Sequence, residues 1–296
     1  RSMIMRLKKG ELTAAGDTMG AQLISLMDGG KTEYIWQRNP KVWKNCSPIL
    51  FPIVGNLRND RTWIDGKEYS IVKHGPCKSL EFRLLYQTGW EAVFGLYQDS
   101  FPAGTYPWKF ELRVRYRLEE TGLTAVLEVN NRDEEDIWYC LGFHTGFNCP
   151  LKAGERFEDY YLEFPEHQEK GYRGYDTKKL EFDRSEEHPF PGADGKTISL
   201  TRELFANDAI WFDQTPSRKV ALKSRAGEKG VEVEFSDFDT VAFWTTPGGE
   251  GTFLCVEPWN GSAVCSDEDD EFLHKNHLQK LEKGRSKTYS MTITLL

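Results

Sequence analysis

Alternation of apolar and polar side chains is the strongest regularity along the chain. From Lys109 to Leu118, the apolar residues Phe110, Leu112, Val114, Tyr116 and Leu118 alternate with Lys109, Glu111, Arg113, Arg115 and Arg117. A period of two places the apolar side chains on one face of an extended strand and the charges on the other, as in an antiparallel sheet packed on one side. After the turn residues Glu120-Thr121-Gly122, a second run puts Leu123, Ala125, Leu127 and Val129 on one face before Asn130-Asn131. Residues 109–129 therefore read as a hairpin. The pattern recurs where Val231, Val233 and Phe235 alternate with Glu232 and Glu234, and again in Tyr289, Met291, Ile293 and Leu295.

Helical periodicity is scarce. The 26 glycines and 13 prolines interrupt the chain at short intervals, and only residues 202–206 and 269–281 have room for a turn or two of helix. No Pro/Gly/Ser-rich linker or internal repeat divides the chain. The expectation is one all-β domain over residues 1–296, built as a large antiparallel β-sandwich.

Composition narrows the function classes. The 296 residues include 38 Lys or Arg and 46 Asp or Glu, a net charge of −8. A chain of this length buries a sizeable core without disulfide or metal staples. The acidic balance, with basic residues diluted among carboxylates, argues against nucleic acid, whose phosphates demand clustered cations. No apolar run approaches the roughly 20 residues that cross a bilayer, so membrane spanning is not expected. Cys46, Cys77, Cys140, Cys149, Cys255 and Cys265 are scattered without a CxxC pair, which suits reduced thiols and a cytoplasmic location. The segment Arg1-Ser2-Met3-Ile4-Met5 does not begin with Met and is read as partly an expression remnant, with no signal-peptide core after it. His274-x-x-His277 is the nearest approach to a metal pair, and two exposed histidines on a loop or helix account for it equally well. No metal is expected.

Three segments combine ionisable groups with turn residues in a way that strand packing does not require. The first runs from Phe51-Pro52 through Gly55-Asn56-Leu57-Arg58 to Lys73-His74-Gly75-Pro76, the second from Gly142-Phe143-His144 to Cys149-Pro150, and the third is Val256-Glu257-Pro258-Trp259-Asn260-Gly261. Desolvation among apolar and Gly/Pro neighbours tunes a proton-transfer group. A histidine beside glycine is commonly a hydrogen-bonded structural residue, so His74 and His144 carry little singly. Glu257 lies between Phe253, Leu254 and Val256 and the Pro258-Trp259 pair, and a carboxylate buried there needs a reason, of which a salt bridge to the next strand is the plain one. Trp211, Trp244 and Trp259 are candidate sugar-stacking platforms, although aromatic side chains more often fill β cores.

In this order and spacing the segments resemble the aldose 1-epimerase, or galactose mutarotase-like, family, and within it the bacterial branch of LacX-type proteins. The resemblance spans nearly the whole chain, from Gly20-Ala21-Gln22-Leu23-Ile24-Ser25 through Trp36, Pro48-Ile49-Leu50-Phe51-Pro52, His74-Gly75, Gly142-Phe143-His144 and Leu204-Phe205-Ala206-Asn207-Asp208-Ala209 to Glu257-Pro258-Trp259. It implies a β-supersandwich, a sugar pocket on one sheet face, and interconversion of α and β anomers without a cofactor. Matched to the family's motifs, Glu257 is the catalytic base, His144 the catalytic acid and His74 the second histidine near the ring oxygen, while Arg58 and Asp208 are sugar contacts. The chain departs from the pattern at Pro76 and Lys78, where an aromatic residue and an Arg usually stand, and at Thr145, where Pro often follows the histidine. These positions would shape the pocket wall and its charge, and Arg58 with Lys78 would suit a phosphate. The expected ligand is a hexose or hexose phosphate and the expected assembly a monomer or homodimer. A hexose 6-phosphate mutarotase and a non-catalytic carbohydrate-binding protein are the alternatives.

Overall fold

The computed structural model describes residues 2–296. Its regular structure is almost entirely antiparallel strand, and helix is confined to six short 3-10 turns among the described residues. Two of these, Glu203–Phe205 and Phe272–His274, fall in the two stretches where the sequence leaves room for a helical turn.

Two large sheets carry the fold. The first has nine strands in the order Thr197–Ser199, Tyr160–Glu163, Lys219–Ser224, Val231–Glu234, Ser286–Leu295, Gly122–Asn131, Phe110–Leu118, Glu91–Tyr97 and Arg83–Gln87. The hairpin read from the alternation is present, with Leu123 opposite Leu118 and Asn131 opposite Phe110. Its apolar residues Phe110, Leu112, Val114, Leu123, Leu127 and Val129 are fully buried. The charged face carries ion pairs such as Glu111 with Arg113 on the same strand and with Arg132 just past the end of the next.

The second sheet runs Glu181–Phe182, Arg173–Asp176, Ile210–Phe212, Thr240–Trp244, Phe253–Asn260, Leu141–Phe143 and Ile49–Leu50, with Thr145–Asn148 also pairing with Phe253–Asn260. Its centre is buried on both faces, which explains why Phe253–Asn260 is buried at every position and shows no apolar–polar alternation. Ile49, Phe143, Ile210, Phe212, Val241, Phe243, Leu254 and Val256 join the main core, which draws residues from Met5 to Ile293. On the opposite face Leu50, Trp211, Ala242 and Trp259 form a second, smaller cluster. The candidate site lies on that second face. All six cysteines are buried and free.

Candidate active site

Strand register sets the site. Trp259 pairs with Gly142 and Cys255 with Gly146, so His144, midway between the two glycines, is carried beside Glu257 on the second face. The glycines make room for what flanks the histidine. A Cβ on Gly142 would stand 2.6 Å from the Pro258 carbonyl oxygen and 2.7 Å from the Trp259 ring, and one on Gly146 would stand 2.9 Å from the Trp43 ring. The Gly-x-His-x-Gly spacing thus presents the His144 imidazole beside the Trp43 and Trp244 indoles.

His144 and Glu257 meet directly, with Nε2 3.2 Å from Oε1 and both residues buried. Burial raises the Glu257 carboxyl well above its ordinary range, and the nearby Asp208 charge adds to this while Lys73 opposes it. Burial moves His144 the other way, to about 3, with Lys73 and Lys78 contributing in the same direction. The second nitrogen of His144, Nδ1, is buried without a hydrogen-bond partner.

His74 reaches the same place from a turn. The backbone N–H of Gly55 donates to His74 Nδ1 at 2.8 Å, and the His74 N–H donates to the Gly55 carbonyl at 2.8 Å. Because Nδ1 accepts, the neutral ring carries its proton on Nε2, a fixed donor. Burial lowers the His74 pKa well below its usual value, with charges on His144, Lys73 and Lys78 adding to it. The His74 and His144 ring centroids are 5.1 Å apart, edge to face. Gly75, at φ +78°, passes so close to the Phe51 carbonyl that a Cβ would stand 1.9 Å from its oxygen, so no other residue lets the turn approach the sheet this way.

A cavity of about 200 Å³ lies over these groups. Its wall includes the proton-transfer candidates His74, His144 and Glu257 together with Lys73, Lys78, Asp208, Trp43, Trp244, Trp259 and Tyr175. Asp208 follows the 3-10 turn Glu203–Phe205 at φ +74°, where its Oδ2 accepts the Ala209 N–H at 2.8 Å. Trp43 is anchored from behind, since its carbonyl accepts the Trp36 indole N–H at 2.9 Å and the neighbouring Cys46 carbonyl accepts the Gly146 N–H at 2.7 Å. Its ring lies 5.2 Å from both His144 and Trp244.

One expectation needs correction. Arg58 is not on the cavity wall. Its guanidinium is bound by Asp270 at 2.5 Å and Glu181 at 3.3 Å and also donates to the carbonyls of Glu268 and Cys265, so it ties loops together and has no free face for a sugar. Trp211 is the core aromatic that its strand context favoured, fully buried with its ring 5.1 Å from Phe182. Conversely, Trp43, Lys73 and Tyr175 line the cavity without having been singled out. Lys73 adjoins His74 and was within reach of a reading that weighed charge. Trp43 and Tyr175 carry no local signal.

Donor atoms of His144, Cys255 and Glu257 lie within 4.8 Å of one another, a mixed nitrogen, sulfur and oxygen set of the kind that soft divalent ions accept. Within this set His144 Nε2 and Glu257 Oε1 are 3.2 Å apart.

Comparison with known proteins places these features. The aldose 1-epimerase family model matches residues 3–277. The plasmid-encoded protein LacX of Lactococcus lactis subsp. lactis is 34% identical over 300 residues, covering 99% of this chain and all of that protein, and its chromosomal counterpart is equally similar over 303 residues. Among solved structures, a galactose mutarotase related enzyme from Lactobacillus acidophilus is 28% identical with a TM-score of 0.89, covering 99% of this chain and 97% of that one. A galactose mutarotase-like protein from Lactobacillus casei ATCC 334 is 25% identical with a TM-score of 0.91, covering 99% of this chain and all of that one.

Proposed function

The chain belongs to the aldose 1-epimerase family, and from that premise we propose that it interconverts the α and β anomers of a hexose by general acid–base catalysis. The observation that carries this reading is the buried contact of His144 Nε2 with Glu257 Oε1, beside His74, on the wall of one cavity. Remote residues of complementary proton affinity converge there, which a site needs and packing does not.

The reaction asks for two proton transfers. From the less populated ion-pair arrangement, with the shared proton on His144 and Glu257 ionised, Glu257 takes the proton of the anomeric hydroxyl while His144 gives one to the ring oxygen, which leaves the pair in its favoured uncharged form. The C1–O5 bond breaks as the C1–O1 bond becomes a carbonyl, leaving the open-chain aldehyde. Rotation about C1–C2 presents the other carbonyl face, and the reverse transfers close the ring as the opposite anomer. Proton count is unchanged over the cycle, and no oxidant or reductant is consumed. His74, held as the Nε2–H tautomer by Gly55, donates a hydrogen bond without joining the transfer. Trp43, Trp244 and Trp259 offer apolar faces that keep water from the pair.

Exchange between anomers, followed by NMR saturation transfer or polarimetry at low buffer concentration, tests this. The wild type should accelerate exchange, and Glu257→Gln, which keeps size and hydrogen bonding, should lower the rate by about 100-fold or more while sugar binding survives. A wild type that binds a hexose without speeding its exchange would make the protein a carbohydrate-binding module. Full activity in Glu257→Gln would remove the base from the scheme.

A further inference from the structure

We infer that His144, Cys255 and Glu257 form a binding site for a thiophilic divalent cation such as Zn2+, and that the ion, once bound, switches off proton transfer at the cavity. The inhibition rests on the mutarotase reading; the binding does not.

The three donors come from paired strands. Cys255 and Glu257 are two positions apart on Phe253–Asn260 and so share a face, and the pairing of Gly146 with Cys255 and of Gly142 with Trp259 sets His144 beside them. Their donor atoms lie within 4.8 Å of one another, and this is the one such group among the described residues. In a tetrahedral zinc site the bond lengths place a nitrogen and an oxygen ligand about 3.4 Å apart and a sulfur about 3.6 Å from either. His144 Nε2 and Glu257 Oε1 already stand 3.2 Å apart. The Cys255 sulfur has at most about 1.2 Å to travel, within reach of a small side-chain rotation.

Charge and softness select the ion. Imidazole, thiolate and carboxylate together suit Zn2+ and its softer relatives, while Mg2+ and Ca2+ require oxygen shells that this set cannot supply. Binding releases the thiol proton of Cys255 and the carboxyl proton of Glu257 to water, so the ion's two positive charges meet two negative ligands and the buried site stays neutral. His144 and Glu257 open onto the cavity, which gives the ion its way in. The histidines that sequence spacing offered as a metal pair are engaged elsewhere, His274 with Asp269 at 2.7 Å and His277 with Asp213 at 2.6 Å.

One atom separates a reversible inhibitor from a resident cofactor. A histidine that holds a permanent metal donates its other ring N–H to a fixed carboxylate or carbonyl, and loss of that partner costs about 10–100-fold in affinity. His144 Nδ1 is buried with no partner. Occupancy of this site therefore follows the supply of the ion. An ion held by Glu257 and His144 removes both the base and the acid, so bound metal and turnover exclude each other.

The test titrates the full chain with Co2+ and with Zn2+. Co2+ should bind once per chain and give the charge-transfer absorption of a thiolate ligand. Zn2+ should abolish that band, raise the melting temperature and suppress anomer exchange by about tenfold or more, with EDTA restoring exchange in full. Mg2+ at the same concentration should do none of this. Metal-free Cys255→Ser should keep exchange within about twofold of the wild type, lose the band, and need about tenfold more Zn2+ for half-inhibition. Cys255→Ala, which brings no hydroxyl into the core, repeats the measurement if the serine variant melts early. Absence of the band in the wild type, or a band and inhibition that survive both substitutions, would overturn the inference. So would Zn2+ that binds through Cys255 and leaves exchange undiminished, because an ion on Glu257 cannot leave the pair free. If the metal-free wild type speeds the exchange of no sugar, the acid–base reading fails by itself, and binding decides: a band and a melting shift lost in Cys255→Ala support the site, and their persistence overturns it.

Discussion

Glu257 and His144 stand 3.2 Å apart on neighbouring strands, and burial moves their proton affinities in opposite directions. The consequence is a pair that holds one proton between two groups, with the uncharged arrangement, carboxylic acid beside neutral imidazole, favoured over the ion pair. The two arrangements contain the same number of protons. A pH–rate profile therefore reports the pair as a unit and does not by itself say which partner acts as acid. In the proposed reaction the asymmetry comes from the sugar, whose anomeric hydroxyl and ring oxygen meet different partners.

Glu257→Gln should stabilise the protein, increasingly so as pH rises. In the unfolded chain the carboxyl ionises at its ordinary value of 4.5, while in the folded protein burial holds it protonated to higher pH. The folded state then binds more protons, so its stability is present below 4.5 and is lost as pH climbs towards the raised value. The difference between Gln and Glu should grow by about 1.4 kcal/mol per pH unit across that window and then level off. His144 contributes the opposite slope between 3 and 6.5, but it is common to both proteins and largely cancels in the difference. Urea unfolding at a series of pH values from 5 to 9 measures it. A difference flat with pH would mean that the carboxyl titrates normally.

Asp208→Asn should move the alkaline limb of the kcat profile to lower pH. The Asp208 charge helps to raise the Glu257 carboxyl, so removing it eases ionisation and the pair loses its shared proton sooner. Asn tolerates the φ of +74° at this position and can still accept the Ala209 N–H, so the loop should keep its shape. An unmoved limb would place Asp208 outside the field of the pair, whatever its effect on KM.

Arg58→Met should weaken the fold and leave catalysis alone. The guanidinium is less than a third exposed and serves two carboxylates and two carbonyls, so its loss should cost about 1–3 kcal/mol. Because it does not line the cavity, kcat and KM should stay within about twofold of the wild type. Thermal unfolding and saturation-transfer kinetics on the same samples decide between this and a direct role in sugar binding.

What was legible in the sequence follows from how each residue is used. Strands with one face on the core and one towards solvent, such as Phe110–Leu118, print their period in the chain. Phe253–Asn260 does not, since both of its faces are covered, and its importance was visible only through the motif around Glu257. His74, His144 and Glu257, which line one cavity, stood out because each sits in a Gly/Pro-rich context that packing alone would not select. Arg58 was misread because its partners, Glu181 and Asp270, lie 123 and 212 residues away, and nothing local announces that an arginine is already neutralised. Trp43 was missed for the converse reason: its place comes from backbone hydrogen bonds to a loop without periodicity.

Deleting residues 289–296 should abolish folding and not merely fray an end. Ser286–Leu295 is the middle strand of the nine-stranded sheet, paired with Gly122–Asn131 on one side and Val231–Glu234 on the other. Its loss would leave two four-stranded pieces with open inner edges, each a template for pairing with another chain. Tyr289, Met291 and Ile293 would leave the core together, and Tyr139 would lose the buried hydroxyl partner that Tyr289 places 2.9 Å away. Removing three such side chains costs several kcal/mol even before the ladder hydrogen bonds are counted, comparable to the roughly 5–15 kcal/mol that holds a typical domain folded. Deleting Leu296 alone provides the control, because that side chain is 43% exposed and its backbone N–H makes a single bond to Gly230. The shorter deletion should retain near-UV circular dichroism and cooperative melting, and the longer one should lose both. A soluble, cooperatively melting protein after the longer deletion would show that the remaining strands close the sheet on their own.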